Sequence, residues 1–238
     1  MERTPSGIPG LDELIEKGIP RGSAVLLSGG SGTGKSIFAM QFIYSGAKDY
    51  NEPGLYVTLE SNIRNIVWDM ENFQWDIKPL QDRNLVKIYR LNLGQTVERK
   101  IIIEQIDSEL KLIASMVKEM GIKRLVIDST TSFGAWISEE GQLRSMLFKF
   151  VDSIKNLNCT TLMTAEVANA TKNAFSAYGV EEFISDGVIA LYFMPPHRSV
   201  FIRKLRGTNH SKTVHPFEIT KNGIQIKSKD EIMWEAIK

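Results

Sequence analysis

The segment that most constrains this chain is Gly29-Gly30-Ser31-Gly32-Thr33-Gly34-Lys35-Ser36. It follows the apolar run Ala24-Val25-Leu26-Leu27 and opens onto Ile37-Phe38-Ala39-Met40-Gln41-Phe42-Ile43, a helix-like run. Strand, glycine-rich turn and helix in that order make a phosphate-binding loop. The glycines let successive N–H groups turn inward around an anion, with the positive end of the new helix behind them. The predicted nucleotide contacts are Gly30, Ser31, Gly32, Thr33, Gly34, Lys35, Ser36 and Ile37. Lys35 has the reach for the outer phosphates, and the Ser36 hydroxyl is a ligand for Mg²⁺. A glycine-rich turn with a chance lysine is the competing reading, but it leaves the agreement of all these parts unexplained. The expectation is a nucleoside triphosphate site.

A mostly parallel sheet should carry this loop. Apolar runs at Ala24–Leu27, Leu55–Leu59, Leu85–Tyr89, Leu125–Ile127, Thr161–Thr164 and Val188–Phe193 alternate with helical patterns. The helices are expected over Ser36–Lys48, Ile63–Phe73, Val97–Met120 and Gln142–Leu157. Such alternation indicates βαβ units, with helices covering both sheet faces. In the third helix Ile103, Ile106, Leu110, Ile113, Val117 and Met120 recur at helical spacing, and Gly121 marks the stop. One buried face explains that stripe better than a coiled-coil seam.

Beyond about residue 187 the pattern turns antiparallel. Val188–Phe193 and Val200–Leu205 flank Met194-Pro195-Pro196-His197-Arg198-Ser199, and Phe217–Thr220 meets Ile224–Lys227 across Lys221-Asn222-Gly223. Two hairpins extending the sheet edge are predicted. The tail residues Ile232, Trp234 and Ile237 are expected to dock on the chain's own core, with a neighbouring subunit as the competing surface. With 238 residues, 42% of them hydrophobic, and no repeat or low-complexity linker, residues 1–238 read as one domain.

Bulk charge is nearly balanced, with 29 basic and 28 acidic residues, so no overall field recruits nucleic acid or anionic lipid. The single Cys159, in a setting that reads as a strand entrance, has no intrachain partner, which suits a reducing, cytoplasmic compartment. No run approaches twenty uninterrupted apolar residues, and the opening residues lack a signal-peptide apolar core. A soluble protein without a membrane partner is expected.

A phosphate loop holds a nucleotide, whereas hydrolysis also needs a metal anchor and a group that positions water. Asp128 ends the apolar strand Arg124-Leu125-Val126-Ile127 and would point into the crevice where such sheets bind ligands. There it suits Mg²⁺ coordination through water; a helix N-cap is the competing reading of Asp-Ser-Thr-Thr. Glu60 follows Leu55-Tyr56-Val57-Thr58-Leu59 and suits a general base that polarises the attacking water. Outside that shared crevice it would read as a solvated strand end.

Further segments carry a family resemblance. These are Arg3-Thr4-Pro5-Ser6-Gly7-Ile8-Pro9-Gly10-Leu11-Asp12, Gly18-Ile19-Pro20-Arg21-Gly22, Glu52-Pro53-Gly54 leading into the Glu60 strand, and Phe73-Gln74-Trp75-Asp76. Val126-Ile127-Asp128-Ser129, Tyr178-Gly179-Val180-Glu181-Glu182-Phe183 and Lys204-Leu205-Arg206-Gly207-Thr208-Asn209-His210 complete the set. Together with the phosphate loop they resemble the single-domain KaiC-like ATPases of the RecA superfamily over nearly the whole chain. The resemblance implies a RecA-like fold, Glu60 as the water-activating carboxylate, and ATP held between subunits of a hexameric ring. It also implies that Lys204 and Arg206 reach the neighbour's γ-phosphate, with His210 and Lys212 near the neighbour's base or sugar. Read alone, Lys204 and Arg206 are two apart on an extended strand and share a face, as solvated strand residues also do.

Two departures matter. Many relatives carry adjacent glutamates where this chain has Glu60-Ser61, which leaves one carboxylate for hydrolysis. The phosphorylating half of the clock KaiC proteins carries Ser-Thr where Glu182-Phe183 stand here, so self-phosphorylation is not expected.

The leading function is an oligomeric ATPase whose nucleotide state alters subunit contacts and a protein partner's binding. The alternative is a RadA- or RecA-like protein acting on single-stranded DNA. The loops Ser129–Gly141 and Glu166–Asp186, expected near a ring's channel, disfavour it. The first holds Glu139 and Glu140 without a lysine or arginine, the second Glu166, Glu181, Glu182 and Asp186 against Lys172 alone. Arg198, Arg203, Lys204, Arg206 and Lys212 could still form a basic surface elsewhere. A nucleotide-sensing scaffold without turnover is a third class, which intact Glu60 and Asp128 disfavour. Trp68, Trp75 and Trp136 are expected to serve core or interface packing.

Overall fold

The apolar runs pair into one nine-stranded sheet. In the computed structural model, which describes residues 1–94, 99–167 and 175–233, the chain begins with β1 (Arg3–Thr4), α1 (Leu11–Leu14) and β2 (Ile19–Pro20). The α/β segment follows as β3 (Ala24–Gly29), α2 (Lys35–Tyr50), β4 (Gly54–Thr58), α3 (Ile63–Asn72), α4 (Lys78–Asp82), β5 (Val86–Arg90) and α5 (Arg99–Met120). Then come β6 (Arg124–Asp128), a 3₁₀ helix (Thr130–Ala135), α6 (Glu140–Lys155), β7 (Thr160–Glu166) and α7 (Glu181–Ile184). The chain closes with β8 (Gly187–Met194), β9 (His197–Leu205), β10 (Val214–Thr220) and β11 (Gly223–Ile226).

The sheet order is β11-β10-β9-β8-β3-β7-β6-β4-β5. Strands β8 through β5 in that order run parallel, and β9, β10 and β11 add antiparallel hairpins at one edge. The expected architecture is therefore present. A separate antiparallel pair, β1 with β2, carries no periodicity signal because each strand has two residues.

Each central strand is apolar on successive positions because both faces are covered. In β3, Val25 and Leu27 join the cluster beneath α2, while Ala24 and Leu26 join the one beneath α5 and α6. In β4, Tyr56 faces the first layer and Leu55 and Val57 the second. This period-two division is what a two-sided strand requires. Helix α2 is buried from Phe38 through Ala47, so it is the central helix of its layer. Helix α5 buries Ile102, Ile106, Ile113, Met116 and Val117, close to the predicted stripe. It also buries Glu109, which accepts the Tyr89 hydroxyl at 2.6 Å. Burial and that carboxylate push the Tyr89 phenol up to about 12.

The aromatic expectations divide. Trp75 is buried between Tyr44 and Phe73, and Trp136 packs edge-on against Phe133. Trp68, by contrast, is 63% exposed on the outer face of α3 and belongs to no core cluster. Cys159 is buried at the entrance of β7, its thiol donating to the Ile122 carbonyl. Ile232 forms a bridge with Val214, which docks the start of the tail on the sheet; Trp234 and Ile237 lie outside the described residues. Among the described residues no helix is long and apolar enough to cross a membrane.

Candidate nucleotide site

The register of the parallel strands determines which residues share the ligand edge. Gly29 pairs with Glu166, and Thr58 pairs with Asp128. The phosphate loop, Asp128, Glu166 and the segment just after β4 thus emerge at the C-terminal ends of neighbouring strands. That edge is where open α/β sheets bind ligands. A cleft of about 340 Å³ opens there, with Lys35, Ser36, Glu60, Asp128, Glu166 and Arg198 on its wall.

The loop has the backbone that its glycines predict. Gly32 and Gly34 hold φ of 73° and 102°, left-handed values that favour glycine, and Gly34 caps the start of α2. Gly29 is required for a different reason: a Cβ there would lie 2.5 Å from the Leu191 carbonyl oxygen. Thr33 donates to Gly30 O at 2.9 Å, closing the turn. Lys35 Nζ donates to the carbonyls of Gly29 and Gly30 at 2.9 and 2.8 Å. Burial holds its ammonium below the ordinary lysine range, while Glu166, Asp128 and Glu60 pull the other way. The cation is thus poised among three carboxylates at the mouth of an anion cradle.

Asp128 is held by hydroxyl groups. Its Oδ2 accepts from Ser36 Oγ at 3.0 Å and from Tyr56 Oη, and its Oδ1 accepts from Thr164 Oγ1. Burial, then the charge of Asp128, lift the Tyr56 phenol well above its usual value, so it remains a donor at neutral pH. The helix-cap reading of Asp128 does not hold: its carboxylate bonds Ser36, Tyr56 and Thr164 rather than the amides of the 3₁₀ helix. Ser36 Oγ and the Asp128 carboxylate are hard oxygen donors that suit Mg²⁺, which keeps several waters and takes further ligands from phosphates. Among the described residues no cluster of three or more His, Cys, Asp or Glu side chains could hold a metal alone.

Glu60 stands two residues past β4, and its Oε1 accepts from Ser132 Oγ. Ser61, at the position of the missing second carboxylate, bonds backward through its N–H to Thr58 Oγ1 at 2.9 Å. Two cleft residues had no assigned part in the sequence motifs. Glu166 ends β7 beside Gly29, and its strand-end position after an apolar run was the available signal. Arg198 reaches Gly32 O at 3.2 Å and stacks over Phe193; nothing in its local sequence pointed there.

Lys204 and Arg206 sit at the other edge. Lys204 pairs with Val188 and Leu205 with Gly187, whereas Gly29 pairs with Leu191. At about 3.3 Å per residue, this end of β9 lies roughly 10 Å or more below the loop. Lys204 Nζ donates to Ser185 O at 2.8 Å, and Arg206, in the turn after β9, pairs with Asp186 at 3.4 Å. His210 turns Nδ1 to Ser211 O, and Lys212 lies 3.3 Å from His210 Nε2.

The acidic reading of the loop Glu166–Asp186 needs correction, whereas Glu139 and Glu140 of the loop Ser129–Gly141 are exposed as expected. Glu181 is fully buried and Asp186 is bound by Lys155 at 2.7 Å, so neither confronts a passing phosphate; Lys172 lies outside the described residues. The basic residues also form no single surface, because Arg198 borders the phosphate loop while Lys204 and Arg206 occupy the far edge.

Comparison with known proteins identifies the family and the fold. A family model described as "ATPase: KaiC" matches residues 4–231. A UPF0273 protein of Methanocaldococcus jannaschii is 37% identical, over 94% of this chain and 96% of its own. The circadian clock oscillator protein KaiC of Parathermosynechococcus lividus is 36% identical over 93% of this chain, which spans 41% of that longer protein. The crystal structure of a KaiC-like protein from Pyrococcus horikoshii superposes with a TM-score of 0.83 at 41% identity, covering 94% of this chain and 98% of the other. A RecA-type fold, a complete phosphate loop and matches along almost the whole sequence lead to one statement: this chain belongs to the KaiC-like ATPase family.

Proposed function

We propose that the chain is a Mg²⁺-dependent ATPase that holds ATP between subunits of a homo-oligomeric ring, six being the number the family resemblance implies. In this reading residues 1–238 act as one cytoplasmic ATPase domain, and the nucleotide state alters subunit contacts and thereby the binding of a protein partner. The observation that carries it is the division of charge. The phosphate loop, Asp128 and Glu60 share one sheet edge, whereas Lys204 and Arg206 lie at the other and are turned away from their own cleft. Cations needed at a γ-phosphate but unable to reach it within one chain fit a site completed by a neighbour.

The backbone amides of Gly30 to Ile37 wrap the phosphates, and Lys35 leaves the loop carbonyls for the outer phosphate oxygens. Ser36, and Asp128 through water, would hold Mg²⁺, which when bound would supply positive charge to the phosphates. Glu60 accepts a proton from the attacking water as its oxygen bonds to the γ-phosphorus and the bridge to ADP breaks. Lys204 and Arg206 of the adjoining subunit counter the charge of the transition state, and His210 and Lys212 hold the base or sugar. A cation supplied in this way contributes about 10³–10⁵ in rate.

The test is ATPase rate against protein concentration, with and without single-stranded DNA. Turnover per subunit should rise steeply with concentration and stay indifferent to DNA. Glu60→Gln should bind ATP without hydrolysing it, and Lys35→Ala should lose binding. A rate per subunit that is constant down to the monomer would refute shared sites, and strong DNA stimulation would favour the recombinase-like alternative.

A further inference from the structure

The 3₁₀ helix after Asp128 is tied to both edges of the subunit. At its centre Ser132, 6% exposed, donates to Oε1 of the exposed Glu60. The helix cannot drift freely. Thr130 Oγ1 donates to Thr164 O at 3.0 Å, and the Glu166 N–H donates to Thr131 Oγ1 at 2.7 Å. Phe133 packs edge-on against Phe150, with 4.9 Å between ring centres.

Another fastening comes from outside the sheet. Tyr178 Oη donates to Thr131 O. The approach is so close that a Cβ on Gly134 would lie 2.1 Å from that phenol oxygen. The Tyr178 N–H donates to Glu181 Oε2 at 3.2 Å, inside a carboxylate side chain with no exposure. Helix α7 then leads to Ser185 and Asp186, the residues that receive Lys204, Arg206 and Lys155. Residues 178–186 therefore join the seat of Glu60 to the far edge of the same subunit.

We infer that Ser132 is a positioning residue for Glu60, and that Tyr178 couples its placement to the segment carrying Lys204 and Arg206. The inference rests on the proposed role of Glu60. An exposed glutamate samples many rotamers. A buried hydroxyl bonded to Oε1 selects one of them and leaves Oε2 to receive the proton from water. Because Tyr178 grips the same short helix, a shift of residues 178–186 when Lys204 and Arg206 engage a neighbour changes the seat of Glu60. Each site would thus sense whether its own subunit is engaged on the opposite side.

The experiment compares Ser132→Ala, Ser132→Thr, Tyr178→Phe and Glu60→Gln in the full chain, by steady-state ATPase kinetics and by direct ATP binding. Ser132→Ala should lower kcat about tenfold, the rate cost of one oriented contact, with KM and the ATP Kd unchanged. Ser132→Thr should recover most of that loss. Tyr178→Phe should lower kcat about threefold, again without a change in binding. Wild-type kcat in Ser132→Ala beside an inactive Glu60→Gln would overturn this inference alone. Wild-type kcat in Glu60→Gln would overturn the catalytic reading as well. A matching rise in KM, or no recovery with Ser132→Thr, would make Ser132 a structural residue and overturn the inference. Should Ser132→Ala fail to fold, Tyr178→Phe decides: unchanged kcat overturns the coupling and a selective loss of kcat supports it.

Discussion

Tyr56→Phe isolates one hydroxyl in the lining of the candidate site. Tyr56 is 1% exposed, its ring packs in the layer beneath α2, and its oxygen donates to the Asp128 carboxylate. Phenylalanine fills the same space, so no cavity arises and the loss is that of a hydrogen bond to a charged group. Such bonds contribute about 1.5–3 kcal/mol. Asp128 keeps Ser36 on Oδ2 and Thr164 on Oδ1, which argues for the lower end, about 1.5 kcal/mol. For a chain of this size, 1 kcal/mol moves the melting midpoint by about 2–4 °C, so a fall of roughly 3–6 °C is expected. The assay is a thermal melt without nucleotide at fixed protein concentration, since ligand and assembly both shift midpoints. A looser Asp128 should also raise the Mg²⁺ concentration needed for half-maximal turnover. A midpoint within about 1 °C of wild type, with an unchanged Mg²⁺ requirement, would refute the reasoning.

Two further predictions follow from the charges. Glu166 leads the carboxylates that oppose the depression of Lys35, so Glu166→Gln should lower the lysine's pKa further. Lys35 would then lose its proton at lower pH, and the alkaline fall in ATP affinity, measured as Kd against pH, should move to lower pH; an unmoved limb contradicts this. Arg124 is a fully buried cation that bonds Glu52 at 2.8 Å and Phe42 O at 3.0 Å. Burial already holds its guanidinium below the usual range. Glu52→Ala strands that charge and should cost about 3–5 kcal/mol in urea unfolding; a loss under 1 kcal/mol would show that water reaches the pair.

Legibility in the sequence followed chemistry rather than position. The strands were readable because burial on both faces keeps their middles apolar, as in Val25-Leu26-Leu27, Leu55-Tyr56-Val57 and Leu125-Val126-Ile127. The phosphate loop was readable because its geometry demands glycines at fixed offsets. Asp128 was readable as a charge ending an apolar strand, and the cleft places it beside Ser36. Glu166 carried the same mark but was absorbed into a supposed acidic loop. Only the register of β7 against β3 shows that it sits level with Gly29. Tyr56 and Thr164 read as ordinary strand residues, since their contact with Asp128 depends on which strands become neighbours. The burial of Glu181 was invisible for a related reason. Its partners are the local amides of Tyr178 and Val180, which a count of charges does not register.

Sites completed by a neighbour are the central claim, and mixing two inactive variants tests it most directly. Glu60→Gln removes the carboxylate from one side of an interface and Arg206→Ala removes the cation from the other. Each should be inactive alone. In an equal mixture with free exchange, roughly a quarter of interfaces should regain both groups by random assortment, and ATP turnover should return accordingly. No recovery, with subunit exchange demonstrated on the same samples, would contradict the account.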